Sequence, residues 1–161
     1  MRKKRTLRVL IVDDDSNLRE LLEEGVQDWG YDVGTAGSGE EAMQCLATDN
    51  YNVVVCDLKM PGMGGLKLLS AIKAFDSMIQ VIIITGYATL DTAVKAMEAG
   101  AYEYLTKPFR LDELMVIMKK ISKRVNEGEG GKAFHKRLNS THGELEVMRA
   151  LQRNSSKEPS E

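Results

Sequence analysis

Four short, largely apolar runs in this 161-residue chain each end in residues able to do chemistry. Val53-Val54-Val55-Cys56 stops at Asp57, and Leu7 to Val12 stops at Asp13-Asp14-Asp15. Gln80 to Ile84, apolar after its first residue, stops at Thr85, and Ala101 to Leu105 leads into Thr106-Lys107-Pro108-Phe109. Runs this short and this rich in β-branched residues read as strands, the all-apolar ones as strands buried on both faces. In a parallel sheet their C-terminal ends share one edge, where open α/β sheets carry ligand sites. That edge would then hold Asp13, Asp14, Asp57, Thr85 and Lys107 together.

Several carboxylates brought close repel one another unless a cation sits among them. Carboxylate oxygens with water are the donors Mg2+ prefers. Lys107 is a point charge suited to a carboxylate or a phosphoryl oxygen, and Thr85 offers a hydroxyl. The set fits phosphoryl transfer onto a carboxylate, with Asp57 as nucleophile, Mg2+ offsetting charge, and Thr85 and Lys107 holding the transferred oxygens. A purely structural reading, in which Asp57 accepts loop N–H bonds and the other acids cap helices, leaves the lysine unexplained. No glycine-rich nucleotide cradle is present: Gly62-Met63-Gly64-Gly65 lacks the lysine and hydroxyl of a P-loop, so the donor needs no nucleotide pocket here.

Helices must alternate with these strands to position the rim. After the first strand, Ser16 is a candidate cap for a helix carrying Leu18, Leu22, Val26 and Trp29 on one face, stopped by Gly30. Tyr31 to Ala36 reads as a more polar strand near a sheet edge, with Val33 inward. A second helix follows over 39–48, with Ala42, Cys45 and Leu46 on its apolar side. Leu66, Leu69 and Ile72 line a third, Ala93, Val94 and Met97 a fourth over about 89–98. Leu111, Leu114, Ile117, Met118, Ile121 and Val125 line a fifth over 111–125. Five strand–helix pairs in strict alternation predict a mostly parallel sheet covered on both faces. Five are too few for a closed eight-stranded barrel.

Composition describes one ordinary globular domain, 43% hydrophobic and 29% charged. Residues 7–125 hold twelve Lys/Arg against eighteen Asp/Glu, an acidic body that argues against nonspecific nucleic-acid binding. Arg2, Lys3, Lys4 and Arg5 form a basic N-terminal extension over 1–6. Beyond Val125, Glu127-Gly128-Glu129-Gly130-Gly131 reads as a flexible joint opening a tail over 126–161. Leu145, Met148 and Leu151 place an apolar side on a short helix around 142–153. No apolar run reaches the length of a membrane span and no hydrophobic segment follows the basic start, so a cytoplasmic location is expected. Cys45 and Cys56 lack metal-ligand spacing and read as free core thiols.

Over residues 7–125 the chain resembles the receiver domain of two-component response regulators. The resemblance rests on Val9 to Asp15, Asp57-Leu58-Lys59-Met60-Pro61-Gly62-Met63, Ile83-Ile84-Thr85-Gly86 and Lys107-Pro108-Phe109, in order. Tyr87, Ala88, Asp91, Ala93, Gly100-Ala101 and Tyr104 are similar to receivers that precede sigma-54-dependent activators. The resemblance implies a doubly wound (βα)5 flavodoxin-like three-layer sandwich with sheet order 2-1-3-4-5. It implies that Asp57 takes a phosphoryl group from the phosphohistidine of a sensor histidine kinase or phosphotransfer protein. Asp14 would ligate Mg2+ directly, Asp13 largely through water, and the Lys59 carbonyl would complete the protein ligands. Thr85 and Lys107 would bind phosphoryl oxygens, and Thr85 with Tyr104 would form the switch. Pro61, Gly65 and Pro108 are structural positions, and the family usually holds the bond before the residue matching Pro108 in cis.

By the same resemblance, phosphorylation draws Thr85 toward Asp57 and lets Tyr104 turn into the vacated space. The surface of the fourth helix, fifth strand and fifth helix then changes, controlling dimerisation or partner binding; Lys95, Met97, Arg110, Asp112 and Glu113 are its expected members. Lys59 and Tyr87 flank the path of water and are large, so self-dephosphorylation should be slow. Gly64 departs from the pattern, standing where relatives usually have aspartate. No output module is visible after residue 125, so a single-domain regulator is expected, with a receiver piece of a longer transcriptional activator as the alternative. A pseudo-receiver acting only by contact and a small phosphatase with an aspartyl-phosphate intermediate are the rival readings. Leu58 and Lys59 provide no carboxylate to serve the latter as general acid or base.

Overall fold

A computed structural model describes residues 6–127. The basic residues 2–5 and the helix expected around 142–153 lie outside the described residues. Five strands alternate with five helices: β1 Arg8–Val12, α1 Ser16–Asp28, β2 Asp32–Ala36, α2 Gly39–Thr48, β3 Val53–Cys56, α3 Gly65–Phe75, β4 Gln80–Thr85, α4 Leu90–Glu98, β5 Glu103–Thr106 and α5 Leu111–Asn126. All neighbouring strands pair in parallel, in the order β2-β1-β3-β4-β5. The fold is the expected doubly wound sandwich.

Period-two alternation splits the strands between two cores. Leu10, Val12, Val54, Cys56, Val81 and Ile83 face one layer, packed against Ala42 and Leu46 of α2, Leu68, Leu69 and Ile72 of α3, and Ala93 and Ala96 of α4. Val9, Ile11, Val53, Val55, Ile82 and Ile84 face the other, packed against Leu22 and Val26 of α1 and Leu114, Ile117, Met118 and Ile121 of α5. Strands β3 and β4 are buried along their whole length, which is why their sequences are continuously apolar rather than alternating. At the sheet edge, β2 keeps only Ala36 fully buried, and Val33 is half-covered.

Local details correct several sequence expectations. Asp15, not Ser16, caps α1: its carboxylate accepts from the Asn17 and Leu18 N–H groups at 3.0 and 3.3 Å, while Ser16 is already the first helical residue. In α3 the core-facing leucine missed by the spacing argument is Leu68, and Leu66 lies half-exposed at the helix start. In α4 the small Ala96 takes the fully buried place, leaving Val94 and Met97 half-covered. Ala101 and Tyr102 are buried but precede β5, whose register with β4 begins at Glu103. Of the two thiols, Cys56 is buried and Cys45 half-buried; both are free. Among the described residues no helix is long and apolar enough to cross a membrane.

Candidate phosphoacceptor site

Strand register brings the chemistry to one edge. Val12 pairs with Cys56, so the next residues, Asp13 and Asp57, leave adjacent strands side by side. Thr85 is the last residue of β4 and pairs with Thr106; the ladder runs one step further, with the Lys107 N–H donating to the Thr85 carbonyl at 2.8 Å. Lys107 is thereby aimed across the strand ends from the far side of β4. The Lys107–Pro108 bond is cis, as expected.

The Lys107 ammonium meets Asp57 Oδ2 at 2.6 Å and Asp13 Oδ2 at 3.3 Å. Both acids are buried, at 6% and 4% exposure, so neither carboxylate draws much solvation from water. Their second oxygens are used as well. Asp57 Oδ1 accepts from the Lys59 N–H at 3.2 Å, and Asp13 Oδ1 from the Asp15 N–H at 2.9 Å. Burial pushes the Asp13 carboxyl above its usual range, against the Asp15 N–H and the Lys107 charge, while the Asp57 charge adds to the rise. Burial opposes the charge on Lys107, but its hydrogen bond to Asp57 and the nearby carboxylates outweigh that and raise its pKa. Two carboxyl groups share one ammonium in a largely buried site, an arrangement that favours a further cation. The neighbouring Cys56 thiol is pushed up to about 12 by burial and by the Asp57 and Asp13 charges, and so stays a neutral core group.

Not every expected acid joins this cluster. Asp14 is exposed at the rim, and among the described residues no group of three acids, histidines or cysteines closes on one point. Asp13 and Asp57 converge; Asp14 does not. The donor chemistry still fits Mg2+, which keeps several waters and commonly takes only one or two carboxylates rather than a full protein cage.

Thr85 is wholly buried, and its Oγ1 accepts from the Tyr87 N–H at 3.1 Å, which leaves its own proton free to donate. Lys59 and Tyr87 touch each other: the ammonium lies 4.2 Å from the ring centroid, and the ring is 58% exposed. They border a cleft of about 420 Å3 beside the site, floored by Leu58 and Leu66. Gly65 approaches the site through backbone: a Cβ there would stand 2.1 Å from the Asp57 carbonyl oxygen. Pro61 lies exposed in the loop between β3 and α3. Tyr104 is already inward, 2% exposed, with its hydroxyl 2.9 Å from Thr92 Oγ1. The ring already occupies the inward position into which it is expected to turn.

Three contributors carry no motif and were not found from sequence. Arg19 of α1 donates to the Asp13 carbonyl at 2.6 Å and fixes the turn after β1. Glu40 of α2 accepts from the Met63 N–H at 2.9 Å and ties down the loop after Asp57. Thr92 meets Tyr104 from α4. Each is an ordinary exposed-helix residue type, and only its partner across the fold gives it meaning.

Comparison with known proteins agrees with this geometry. The sequence model of the response regulator receiver domain matches residues 9–119. The DNA-binding transcriptional regulator NtrC of Klebsiella pneumoniae is 44% identical over 108 residues, which cover 67% of this chain and 23% of that regulator. The chain spans about a quarter of the length of the curated relatives it matches. Among solved structures, the signal receiver domain of a putative Luxo repressor protein from Vibrio parahaemolyticus matches with a TM-score of 0.73 and 31% identity, covering 78% of this chain and 96% of that one. The response regulator protein TrrA of Thermotoga maritima, solved in complex with Mg2+ and BeF, matches with a TM-score of 0.66 and 38% identity, covering 72% and 99%.

Proposed function

Because the chain belongs to the response regulator receiver family of two-component signalling, we propose that Asp57 is its phosphoacceptor and that a histidine kinase or phosphotransfer protein supplies the group. An Asp57 carboxylate oxygen attacks the phosphorus of a phosphohistidine; the P–O bond forms, the P–N bond breaks, and the imidazole departs with the electron pair. The observation that carries this reading is the Lys107 ammonium held between Asp57 and Asp13 in a buried site. As the phosphoryl group arrives, Lys107 exchanges its bond to Asp57 Oδ2 for one to a phosphoryl oxygen. The Thr85 hydroxyl, whose proton is uncommitted, donates to another.

Asp13 and Asp57 are the residues that would hold Mg2+, with the Lys59 carbonyl and with Asp14 turning in from the exposed rim, and the ion would supply charge neutralisation at the transferring oxygens. Water is kept from the acyl phosphate by the Lys59–Tyr87 pair at the cleft. The phosphorylated state is read by a partner or a second copy on the surface of α4, β5 and α5. There Lys95, Arg110 and Asp112 are exposed and Met97 and Glu113 half-covered.

The test is Mg2+-dependent binding of beryllofluoride, a phosphoryl mimic, followed by 19F NMR. Wild type should give one slowly exchanging bound resonance that requires Mg2+ and vanishes in Asp57→Ala. Absence of that resonance in wild type at saturating Mg2+ would overturn the phosphoacceptor assignment and favour a contact-only module.

A further inference from the structure

Tyr104 reaches the buried position through β5, yet its hydroxyl is satisfied by another element, the first turn of α4. Thr92 Oγ1 is 2.9 Å away. The same Thr92 hydroxyl closes the N-terminal capping box of α4. It accepts from the Thr89 N–H at 3.1 Å and donates to the Thr89 carbonyl at 3.1 Å, while the Thr92 N–H donates to Thr89 Oγ1 at 3.1 Å. A hydroxyl has one proton and two lone pairs. Thr92 Oγ1 also lies 3.0 Å from Thr89 Oγ1, so four groups share its proton and lone pairs, and the Tyr104 hydroxyl is one of them.

Ring and helix therefore share one hydroxyl. Turning Tyr104 outward breaks the bond between the phenol and Thr92; fraying the cap leaves a buried phenol short of a partner, which is costly. We propose that Thr92 is a positioning residue of the switch: its hydroxyl holds Tyr104 inward and couples that rotamer to the first turn of α4, so that ring and helix start move together. Signal transmission then proceeds by moving the joined unit.

This inference rests on the phosphoacceptor reading only for the word switch, so its test has a part that needs neither Mg2+ nor a phosphoryl mimic. Amide hydrogen exchange in the metal-free chain reads the first turn of α4 at Ala93, whose N–H donates to the Thr89 carbonyl. Tyr104→Phe removes the phenol O–H and leaves the capping box intact. Loss of one net hydrogen bond should speed exchange at Ala93 about fivefold. Thr92→Val should do at least as much, Thr92→Ser should behave as wild type, and adding Tyr104→Phe to Thr92→Val should bring little more. A simple cap predicts acceleration in Thr92→Val and none in Tyr104→Phe, and that result would overturn the coupling. The second part compares beryllofluoride affinity. Both Tyr104→Phe and Thr92→Val should shift it by up to the same fivefold, with Thr92→Ser unshifted. Unchanged affinity in variants whose exchange has changed overturns the tie to the switch, whereas failure of wild type itself to bind beryllofluoride strikes the phosphoacceptor reading and leaves the coupling to be decided by exchange alone.

Discussion

Lys107 illustrates how single residues set the chemistry. Its ammonium is the common partner of two buried carboxylates, so neither Asp13 nor Asp57 is left as an isolated buried charge, which would be strongly destabilising. The same arrangement readies the site for an anion, because the lysine has a carboxylate bond to give up. At the mouth, Lys59 and Tyr87 satisfy each other by a cation–π contact instead of reaching into the site. On the proposed function, a pair of that kind would screen the acyl phosphate without supplying a base for its hydrolysis. The phosphorylated protein is therefore expected to survive for minutes or longer, and Tyr87→Ala to shorten its life several-fold, measured as phosphate release after removal of the donor. A half-life of seconds in the isolated wild-type chain would refute the screen.

At the scale of elements, β3 and α3 are joined so closely that helix position and acceptor position are one variable. Helix α3 begins at Gly65, whose N–H donates to the Leu58 carbonyl at 2.8 Å. A methyl group on Gly65 would meet the Asp57 carbonyl oxygen at 2.1 Å and Leu58 Cα at 2.7 Å, and neither backbone atom can yield cheaply. Gly65→Ala is expected to cost about 1–3 kcal/mol of stability in urea unfolding and to weaken Mg2+-dependent beryllofluoride binding by displacing Asp57. Gly64→Ala, whose Cβ would touch only the Leu58 carbonyl at 3.2 Å, is the mild control. Gly64 is also the helix cap that offers no side-chain bond. Aspartate there would satisfy an N–H that the present residue leaves to the backbone.

For the whole molecule, the parallel sheet puts the candidate site on one edge and the proposed readout surface on one flank. The α4, β5 and α5 surface is bordered by exposed charged side chains, paired as Asp91 with Lys95 at 3.0 Å and Arg110 with Asp112 at 3.1 Å. Such exposed pairs contribute little to folding and are free to re-pair with another surface. Leu90 and Val116, each at least half exposed, add apolar area on the same two helices. Beryllofluoride with Mg2+ is expected to convert the full chain toward a dimer in light scattering, with Asp57→Ala unchanged. An unchanged mass in wild type, with the mimic shown to be bound, would mean that a separate partner reads this surface.

The sequence by itself determined the alternation of five strands and five helices, the doubly wound class, and the placing of Asp13, Asp57, Thr85 and Lys107 on one rim. It could do so because each of these residues follows a short apolar-rich run, uninterrupted before Asp13, Asp57 and Thr85 and broken by Glu103 before Lys107, and burial on both faces makes the uninterrupted ones unmistakable. The motif resemblance then supplied the strand order, which periodicity cannot provide. What only the tertiary structure decided are the relations between elements: that Lys107 bridges two carboxylates while Asp14 stands at the rim, and that Asp15 rather than Ser16 caps α1. The same holds for the roles of Arg19, Glu40 and Thr92. Those side chains act through partners 6 to 23 residues away, and a hydrogen bond of that reach leaves no period or spacing in the chain. Hydrophobic pattern is a local property and was legible. Polar pairing across the fold belongs to the packed whole.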